Sequence, residues 1–482
     1  MSISDDTMKL SIELSTFIET LRMKLSLLIC FFAFSLVSCV DYTEIVELPF
    51  GKIRGAVEYW RGRAAYEYKG IPFATPPVGS RRYLRATEPK SWEGIKDTVS
   101  YGKACPQNPL LTNDQDEDCL YMNVYVNKET FDNRHKQLKP VLVWIHGGAF
   151  MVGSGNDPDS YRGIPLVIVE DVVLVTFNYR LGVFGFLNPG ELIPSLPANL
   201  GLWDQNLALQ WVNQNIHLFG GDPNKVTIFG QSAGSMSVAY QILSPHSRGL
   251  FKGAIMESGR FMSDYIPEQN RTNIVEDFIE SCNCTNVVDP LACLKSVHWR
   301  DLIDSSPSTI LSPTFGDDFI PMEPEEAVKS RKFNDVNLLA GAERDEGNGL
   351  VCGTYKFAHL KASTSATGTY AYIHTQAPMK EYNDNPACGR AVDKVCHSDD
   401  IPFIFGAPLR EPQHYDADDI ELSIHMMRIW GEFAWSGKPT RQGPIDWPLI
   451  AEKSSKVLNL IELNNKFLGK IDTTTGTNCL VN

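Results

Sequence analysis

Two hydrophobic runs in the middle of the chain predict strands of a buried sheet. Residues 140–145, Pro-Val-Leu-Val-Trp-Ile, are continuously apolar, and residues 225–229, Lys-Val-Thr-Ile-Phe, form a shorter run. Continuous runs are typical of strands covered on both faces, whereas a strand with one exposed face alternates apolar and polar residues. The residues after the second run, 235–240, can begin a helix. The pattern therefore predicts a strand, a sharp turn and a helix between 225 and 240.

The turn between this strand and helix carries the pentapeptide Gly-Gln-Ser-Ala-Gly, with its serine at Ser232. Glycines at 230 and 234 would let the chain pass closely on both sides of the serine. A serine on such a turn has an exposed hydroxyl, and the helix N-terminus offers N–H groups to a developing oxyanion. The pentapeptide alone could also be a glycine-rich turn with a surface serine. A nucleophile would need an oxyanion donor, a base and an acid elsewhere in the chain.

The first apolar run ends in a second glycine turn, His146-Gly147-Gly148. Because glycine has no Cβ, such a turn allows backbone N–H groups to point into a cavity. Taken alone, it would be interpreted as a plain glycine turn. Its place before Ser232 matches the order of an α/β-hydrolase, in which the oxyanion loop precedes the nucleophile.

From about residue 45 to about residue 448 the chain resembles the type-B carboxylesterases, the carboxylesterase and cholinesterase family of α/β-hydrolases. The resemblance is carried by segments that occur in order along the chain: Gly70–Gly79, Glu117–Val124, Asn178–Gly182, Asn199–Gln205 and Phe219–Pro223. It implies an α/β fold of the α/β-hydrolase type, with a mostly parallel central sheet flanked by helices. It also implies a serine esterase that forms an acyl-enzyme.

The resemblance implies the catalytic residues position by position. The nucleophile matches Ser232, the acid of an Asp-Glu-Gly turn matches Glu346, and the base matches His397. The oxyanion donors match the backbone N–H groups of Gly147, Gly148 and Ala233. A serine hydroxyl is a weak nucleophile, so a histidine must take its proton and return it to the leaving alcohol. The carboxylate fixes the imidazole tautomer and stabilises the imidazolium.

Composition and charge agree with a large globular protein. The chain has 482 residues, of which 43% are hydrophobic and 21% charged, enough for a sizeable core. No linker or low-complexity stretch interrupts residues 41–460, so we predict a single domain over 40–482. The net charge of −14 disfavours nucleic acid and anionic membranes as partners. We expect a small-molecule ester as the partner and no cofactor or metal.

The N-terminal segment, 1–39, resembles a secretory leader with an extension in front of it. Residues 23–39 have a basic start, an apolar core and small residues near a possible cut after Cys39. The favoured interpretation is that translation begins at Met23. An uncleaved signal-anchor is the alternative, although the apolar core is short for a membrane span. We therefore expect a secreted, extracellular protein without a membrane segment in the mature chain.

Cysteines and glycosylation sequences fit export. The chain has 11 cysteines. The resemblance implies two disulfides, Cys105–Cys119 and Cys282–Cys293, and Cys388 with Cys396 is a plausible third pair; the remaining pairings stay open because sequence does not fix connectivity. Asn-x-Ser/Thr acceptors for glycosylation occur at Asn270 and Asn283.

Two departures from the family argue against cationic substrates. Cholinesterases hold a quaternary ammonium against a tryptophan just before their Glu-Asp-Cys-Leu segment, by cation–π attraction. The short loop between Cys105 and Cys119 contains no tryptophan. Gln231 stands before the nucleophile, where family members often carry glutamate, so a negative charge beside the triad is absent. The sequence therefore predicts hydrolysis of neutral carboxylic esters.

A third departure leaves an alternative function open. Only 51 residues separate Glu346 from His397, whereas relatives have a longer helical insert between acid and base. The segment 351–356 is a candidate junction for the shortening. A shortened insert could open the pocket or disable the enzyme. The alternative is therefore a catalytically silent relative with an adhesion or storage role, although such relatives usually lack the serine or the histidine.

Overall fold

The structure is a computed structural model that describes residues 40–107, 114–259, 268–307, 311–378, 394–439, 446–451, 457–465 and 471–481. Residues 43–482 form one compact unit. The predicted leader, 23–39, lies outside the described residues.

The described residues contain strands and helices in alternation after residue 120. The strands are β1 Val46–Leu48, β2 Gly51–Arg54, β3 Ala56–Trp60, β4 Arg63–Pro72, β5 Ile95–Asp97, β6 Tyr121–Asn127, β7 Lys139–Ile145, β8 Val173–Phe177, β9 Gly221–Gln231, β10 Gly253–Glu257, β11 Asn337–Glu343, β12 Thr369–His374, β13 Leu460–Leu463 and β14 Ile471–Asp472. The α-helices are α1 Lys128–Asp132, α2 Ile164–Glu170, α3 Gly182–Gly185, α4 Leu200–Asn215, α5 Ala233–Leu243, α6 Glu268–Ser281, α7 Pro290–Ser296, α8 Trp299–Asp304, α9 Pro324–Lys329, α10 Asn348–Thr364, α11 Ile401–Ile404, α12 Ala407–Arg410, α13 Ala417–Ser436 and α14 Thr475–Val481. Short 3₁₀ turns occupy Gly79–Arg81, Gly190–Leu192, Ile216–Phe219, Pro245–Ser247 and Pro412–His414.

Eleven of the described strands form one sheet in the order β14-β13-β12-β11-β10-β9-β7-β8-β6-β4-β3. Strands β8, β7, β9, β10, β11, β12 and β13 run parallel to their neighbours in this central part. The pairs at both edges are antiparallel. Strands β1, β2 and β5 form a small separate sheet. The large sheet confirms the predicted α/β fold with a mostly parallel centre.

Helices cover both faces of the sheet, which explains the continuous apolar runs. On β7, Val141, Val143 and Ile145 belong to one buried cluster, together with residues of α4 and α5. Leu142 and Trp144 belong to a second cluster on the other face, with residues of α2 and α13. From Val141 to Ile145, alternate residues thus pack into opposite cores, and no position in this stretch is left for a polar side chain.

The parallel register brings the carboxyl ends of four neighbouring strands to one edge of the sheet. Gln231 ends β9 and pairs with Glu257 at the end of β10. Glu343 ends β11 and pairs with His374 at the end of β12. Ligands of open parallel sheets bind at this edge, so polar residues here are candidates for function.

The structure confirms one predicted disulfide and corrects another. Cys105 is bonded to Cys119. Cys293 is bonded to Cys284 rather than to the predicted Cys282, which is a buried free thiol. A further bond joins Cys352 to Cys479. Cys396 is also disulfide-bonded, and Cys388, its predicted partner, lies outside the described residues.

The end of helix α6 gives the physical reason for the corrected pairing. The N–H of Asn283 donates to Glu280 O at 2.8 Å, and that of Cys284 donates to Ile279 O at 2.9 Å. Asn283 has a φ of 55°, so the two bonds close a Schellman motif with asparagine in the left-handed position. The reversal leaves Cys282 packed in the core and turns the chain at Cys284 toward Cys293.

The predicted glycosylation sites fall on this same part of the chain. Asn283 is exposed. Asn270 lies in the first turn of α6, and its side chain is outside the described residues. None of the helices in the described residues is long and apolar enough to cross a membrane.

Candidate active site

Ser232 occupies a strained turn between β9 and α5. The predicted strand extends over Gly221–Gln231, and the helix begins at Ala233, directly after the serine. Ser232 has φ 57° and ψ −123°, a region that a non-glycine residue occupies only when its surroundings impose it. Its backbone is held on both sides: its N–H donates to Glu257 O at 2.9 Å, and its carbonyl accepts from Met236 N–H at 2.9 Å.

The two glycines of the pentapeptide press this turn against the end of β7. A Cβ at Gly234 would lie 1.9 Å from Ile145 O, and a Cβ at Gly230 would lie 2.6 Å from the same oxygen. Both distances are far below van der Waals contact, so no larger residue fits at either position without moving the backbone. The glycines therefore fix the distance between the serine turn and the glycine turn that follows β7.

The turn after β7 lies directly beside the serine. A Cβ at Gly147 would be 2.8 Å from Gln231 O and 3.2 Å from Ser232 Cβ. Gly148 has a φ of 105°, and a Cβ there would be 2.0 Å from Val152 O. Neighbouring atoms thus leave no room for a side chain at Gly147 or Gly148, and the positive φ of Gly148 also favours glycine there. The structure brings the predicted donors Gly147 and Gly148 to Ser232.

His146 holds the glycine turn, a role that the sequence analysis did not assign. Its Nδ1–H donates to Gly147 O at 2.8 Å, and Tyr179 Oη–H donates to His146 O at 2.8 Å. The imidazole stacks on the Tyr179 ring with a centroid distance of 4.3 Å. Burial lowers the pKa of His146 to about 4, so the ring is neutral and Nδ1 carries the proton. These bonds hold the carbonyl oxygens of His146 and Gly147 and thereby fix the orientation of the turn.

The structure also brings the predicted acid and base together. His397 Nδ1 donates to Glu346 Oε2 at 2.7 Å. The second carboxylate oxygen, Glu346 Oε1, accepts the backbone N–H of Glu343 at 3.0 Å, and the glutamate side chain is fully buried. The His397 side chain is 26% exposed. With Nδ1 donating to the carboxylate, Nε2 is the nitrogen that carries no proton in the neutral ring, as a general base requires.

Gln231 connects this pair to the serine turn. Its Nε2 lies 3.2 Å from both Nδ1 and Nε2 of His397. An atom in the ring plane at equal distance from both nitrogens would overlap Cε1 on one side or Cγ and Cδ2 on the other, so the amide must lie over the face of the imidazole. An N–H group above the ring is a weak contact with the π electrons and does not point at the in-plane lone pair of Nε2. Because Gln231 directly precedes Ser232, the imidazole lies next to the serine turn.

Buried acids surround the pair, and the sequence analysis did not identify them. The side chains of Glu257, Glu343 and Asp400 are buried. Trp430 Nε1 donates to Glu257 Oε1 at 2.8 Å, and His374 Nδ1 lies 2.6 Å from Glu343 Oε2. Their place at the ends of strands could have identified two of these acids. Glu257 and Glu343 each end a strand at the edge of the sheet where Gln231 also ends β9.

Comparison with known proteins gives a consistent result. The model of the carboxylesterase family matches residues 42–352 and 348–478. The match is divided at the place where the sequence analysis predicts a shortened insert. Para-nitrobenzyl esterase of Bacillus subtilis is 32% identical over 478 residues, which cover 86% of this chain and 94% of that protein. Acetylcholinesterase of Bungarus fasciatus is 32% identical, over 82% of this chain and 78% of that protein.

Neuroligin-3 of Mus musculus is also similar, with 28% identity over 85% of this chain. The aligned region covers only 64% of the neuroligin, so the chain spans less than two thirds of that relative's length. Similarity of sequence therefore extends to proteins whose names denote esterases and to one whose name does not.

The contact between Gln231 and His397 predicts how a charge at this position would act. In Gln231→Glu, a carboxylate over the ring face would stabilise the imidazolium, so the acidic limb of kcat/KM for p-nitrophenyl butyrate should move to higher pH by roughly one unit. Gln231→Leu, which removes the amide without adding charge, is the matched control and should leave the limb in place. If the acidic limb of kcat/KM lies at the same pH in Gln231→Glu and in the wild type, residue 231 does not face His397.

Proposed function

The chain belongs to the carboxylesterase family, and on that premise we propose that it is a serine carboxylic-ester hydrolase that acts on neutral esters through an acyl-enzyme. The observation that carries the proposal is the contact of Gln231 with His397. It joins the strained Ser232 turn to the hydrogen-bonded pair of His397 and Glu346. This contact supports the assignment of Ser232, His397 and Glu346, from three separate parts of the chain, as nucleophile, base and acid.

In the first half-reaction, Ser232 Oγ attacks the ester carbonyl carbon while His397 Nε2 takes the hydroxyl proton. The carbonyl oxygen becomes an oxyanion, which the N–H groups of Gly147, Gly148 and Ala233 stabilise. His397 then gives the proton to the alkoxide oxygen, the carbon–oxygen bond to the alcohol breaks, and the acyl group remains on the serine. Glu346 stabilises the imidazolium that forms between these two proton transfers.

In the second half-reaction, water replaces the alcohol. His397 takes a proton from the water, the hydroxide attacks the acyl carbon, and the oxyanion forms again in the same place. The proton passes from His397 to Ser232 Oγ as the acyl–oxygen bond breaks. The products are a carboxylic acid and an alcohol, and the enzyme returns to its initial state without any cofactor.

The preference for neutral esters rests on the residues near the nucleophile. Gln231 places a neutral amide, not a carboxylate, against the catalytic imidazole. The sequence between Cys105 and Cys119, which are joined by a disulfide, contains no tryptophan. A cationic headgroup would therefore lack both a negative charge and an indole face from these two positions.

Secretion and glycosylation are part of the proposal. The disulfides Cys105–Cys119, Cys284–Cys293 and Cys352–Cys479 are compatible with an oxidising compartment. The exposed Asn283 is the better supported glycosylation acceptor, since its side chain is accessible in the structure. The apolar segment 23–39 would direct the chain to that compartment and be removed as a signal peptide.

The alternative is a silent scaffold with an adhesion or storage role. It is favoured by the similarity to neuroligin-3 and by the short connection between Glu346 and His397. The bond between these two residues argues against it, because the short connection still delivers the histidine to the glutamate. Hydrolysis of p-nitrophenyl acetate by the purified mature chain, abolished by an organophosphate, distinguishes the two functions.

Replacement of the nucleophile gives the most specific test of the proposed chemistry. Ser232→Ala should abolish covalent labelling by a fluorophosphonate and lower kcat by about 10⁴- to 10⁶-fold. Ser235→Ala is the matched control, since Ser235 is a buried serine three residues further along the chain, in the first turn of α5, and it should keep full labelling. Undiminished labelling of Ser232→Ala, measured by intact-protein mass spectrometry, would refute the assignment.

Because neither Gln231 nor the Cys105–Cys119 loop offers a site for a cation, we predict that the enzyme does not prefer cationic esters over neutral ones. A cation–π contact contributes about 0.5–2 kcal/mol, or roughly 2- to 30-fold in binding. We therefore expect the kcat/KM for butyrylthiocholine to be no higher than that for an uncharged thioester isostere of the same size. A tenfold preference for the cationic substrate would mean that aromatic residues elsewhere bind the ammonium group.

A further inference from the structure

Four carboxyl groups meet beneath the catalytic histidine. Glu257, Glu343, Glu346 and Asp400 come from the ends of β10 and β11, the following turn and the residue before α11, and all four side chains are buried. Ionised carboxylates at such a site repel one another and lack water, so they cannot all be charged. The hydrogen-bond donors around each carboxyl group determine which of them carries the charge.

Glu346 has the donors of a carboxylate. His397 Nδ1–H donates a hydrogen bond to Oε2, and the backbone N–H of Glu343 donates one to Oε1. Each of these donors fixes a different oxygen, so the carboxylate cannot rotate without losing a bond. Glu343 therefore holds the proposed triad acid through its main-chain N–H.

The side chain of Glu343 lies between His374 and Asp400. Its Oε2 is 2.6 Å from His374 Nδ1, and the carboxyl group of Asp400 adjoins that of Glu343. In the described part of the chain, no N–H or O–H donor reaches Glu343 Oε1 or either oxygen of Asp400. Two carboxyl groups in contact, without another donor, can be satisfied only if one of them carries a proton.

The electrostatics of the site agree with a bound proton. Burial raises the pKa of Glu343 well above its ordinary value, and the neighbouring Asp400 and Glu346 raise it further. Burial lowers the pKa of His374 to about 3, so this imidazole is neutral and donates its Nδ1 proton. The other titratable and charged groups that face Glu343 and Asp400 come from β10, β12, α10 and the adjoining loops: Glu257, Tyr372, Tyr355, Arg344, Glu346, His397 and Asp399.

We propose that Glu343 is a positioning residue for the proposed ester hydrolysis: its protonated, uncharged side chain accepts from His374 and donates to Asp400, while its backbone N–H orients Glu346. The negative charge of the Glu343–Glu346 region is then concentrated on the carboxylate that faces His397. A charge on Glu343 would compete with Glu346 for the catalytic imidazolium. The inference rests on the proposed function for its catalytic part and on the fold alone for its proton.

The substitution Glu343→Gln reproduces the protonated side chain without a titratable group. Its carbonyl can accept from His374 Nδ1–H and its amide can donate to Asp400, so kcat for p-nitrophenyl butyrate at pH 7 should stay within threefold of the wild type. Glu343→Leu has a side chain of similar size that can neither accept a hydrogen bond from His374 nor donate one to Asp400. It should lower kcat about 10- to 100-fold with little change in KM, because Glu346 and His397 lose their fixed geometry.

The pH dependence of stability tests the proton without requiring turnover. A carboxyl group whose pKa is raised on folding stabilises the folded state below its unfolded pKa, and this contribution is lost as the pH rises toward the folded pKa. Because glutamine does not titrate, Glu343→Gln does not lose this stability as the pH rises. The melting temperature of Glu343→Gln minus that of the wild type should therefore increase steadily between pH 5 and pH 8.

These measurements separate failure of the inference from failure of the proposed function. A melting-temperature difference that is constant with pH would overturn the bound proton, even if the protein is an active esterase. A tenfold loss of kcat in Glu343→Gln, or an unchanged kcat in a folded Glu343→Leu, would overturn the positioning role. If Glu343→Leu does not fold, the two Glu343→Gln results decide the question. An inactive wild type that still shows the pH-dependent difference would refute the esterase and keep the proton.

Discussion

The close packing of the serine turn on the end of β7 is the constraint on which the site depends. Gly230 and Gly234 both meet Ile145 O at distances that leave no room for a Cβ. Because Ile145 is the last residue of β7, the same contact sets where the His146–Gly148 turn emerges. The proposed nucleophile and oxyanion donors are therefore positioned by close backbone contact with the end of β7, not by flexible side chains. The strain at Ser232 persists because the sheet and α5 hold it from both sides.

The edge of the sheet also concentrates charge, and the structure manages that charge with hydrogen bonds. Neighbouring parallel strands end at this edge, and Gln231, Glu257, Glu343 and His374 are the last residues of four of them. Glu257 is paired with the Trp430 indole and Glu343 with His374. Only Glu346 receives both the imidazole and a backbone N–H. Because Glu257 and Glu343 have their own hydrogen-bond partners, both can lie near His397 while Glu346 is the acid hydrogen-bonded to its imidazole.

The sequence predicted the parts of the site that depend on local pattern. The run at 140–145 predicted a doubly covered strand because each of its side chains is apolar, and the pentapeptide predicted the turn because its glycines are needed there. The partner of Cys293 depended instead on the left-handed conformation of Asn283, which no spacing reveals. The buried acids were missed for a similar reason. Glu257, Glu343 and Asp400 become neighbours only through strand register, and each alone resembles a solvated surface residue.

The most direct test of the account is a pre-steady-state measurement with p-nitrophenyl acetate on the mature protein. If Ser232 is acylated and then deacylated by water that His397 activates, p-nitrophenol should appear in a burst close to one equivalent per protein, followed by a slower linear phase. Peptide mapping of the quenched reaction should place the acetyl group on Ser232. A folded protein that releases no p-nitrophenol, or that carries the acetyl group elsewhere, would contradict the account and favour the silent scaffold.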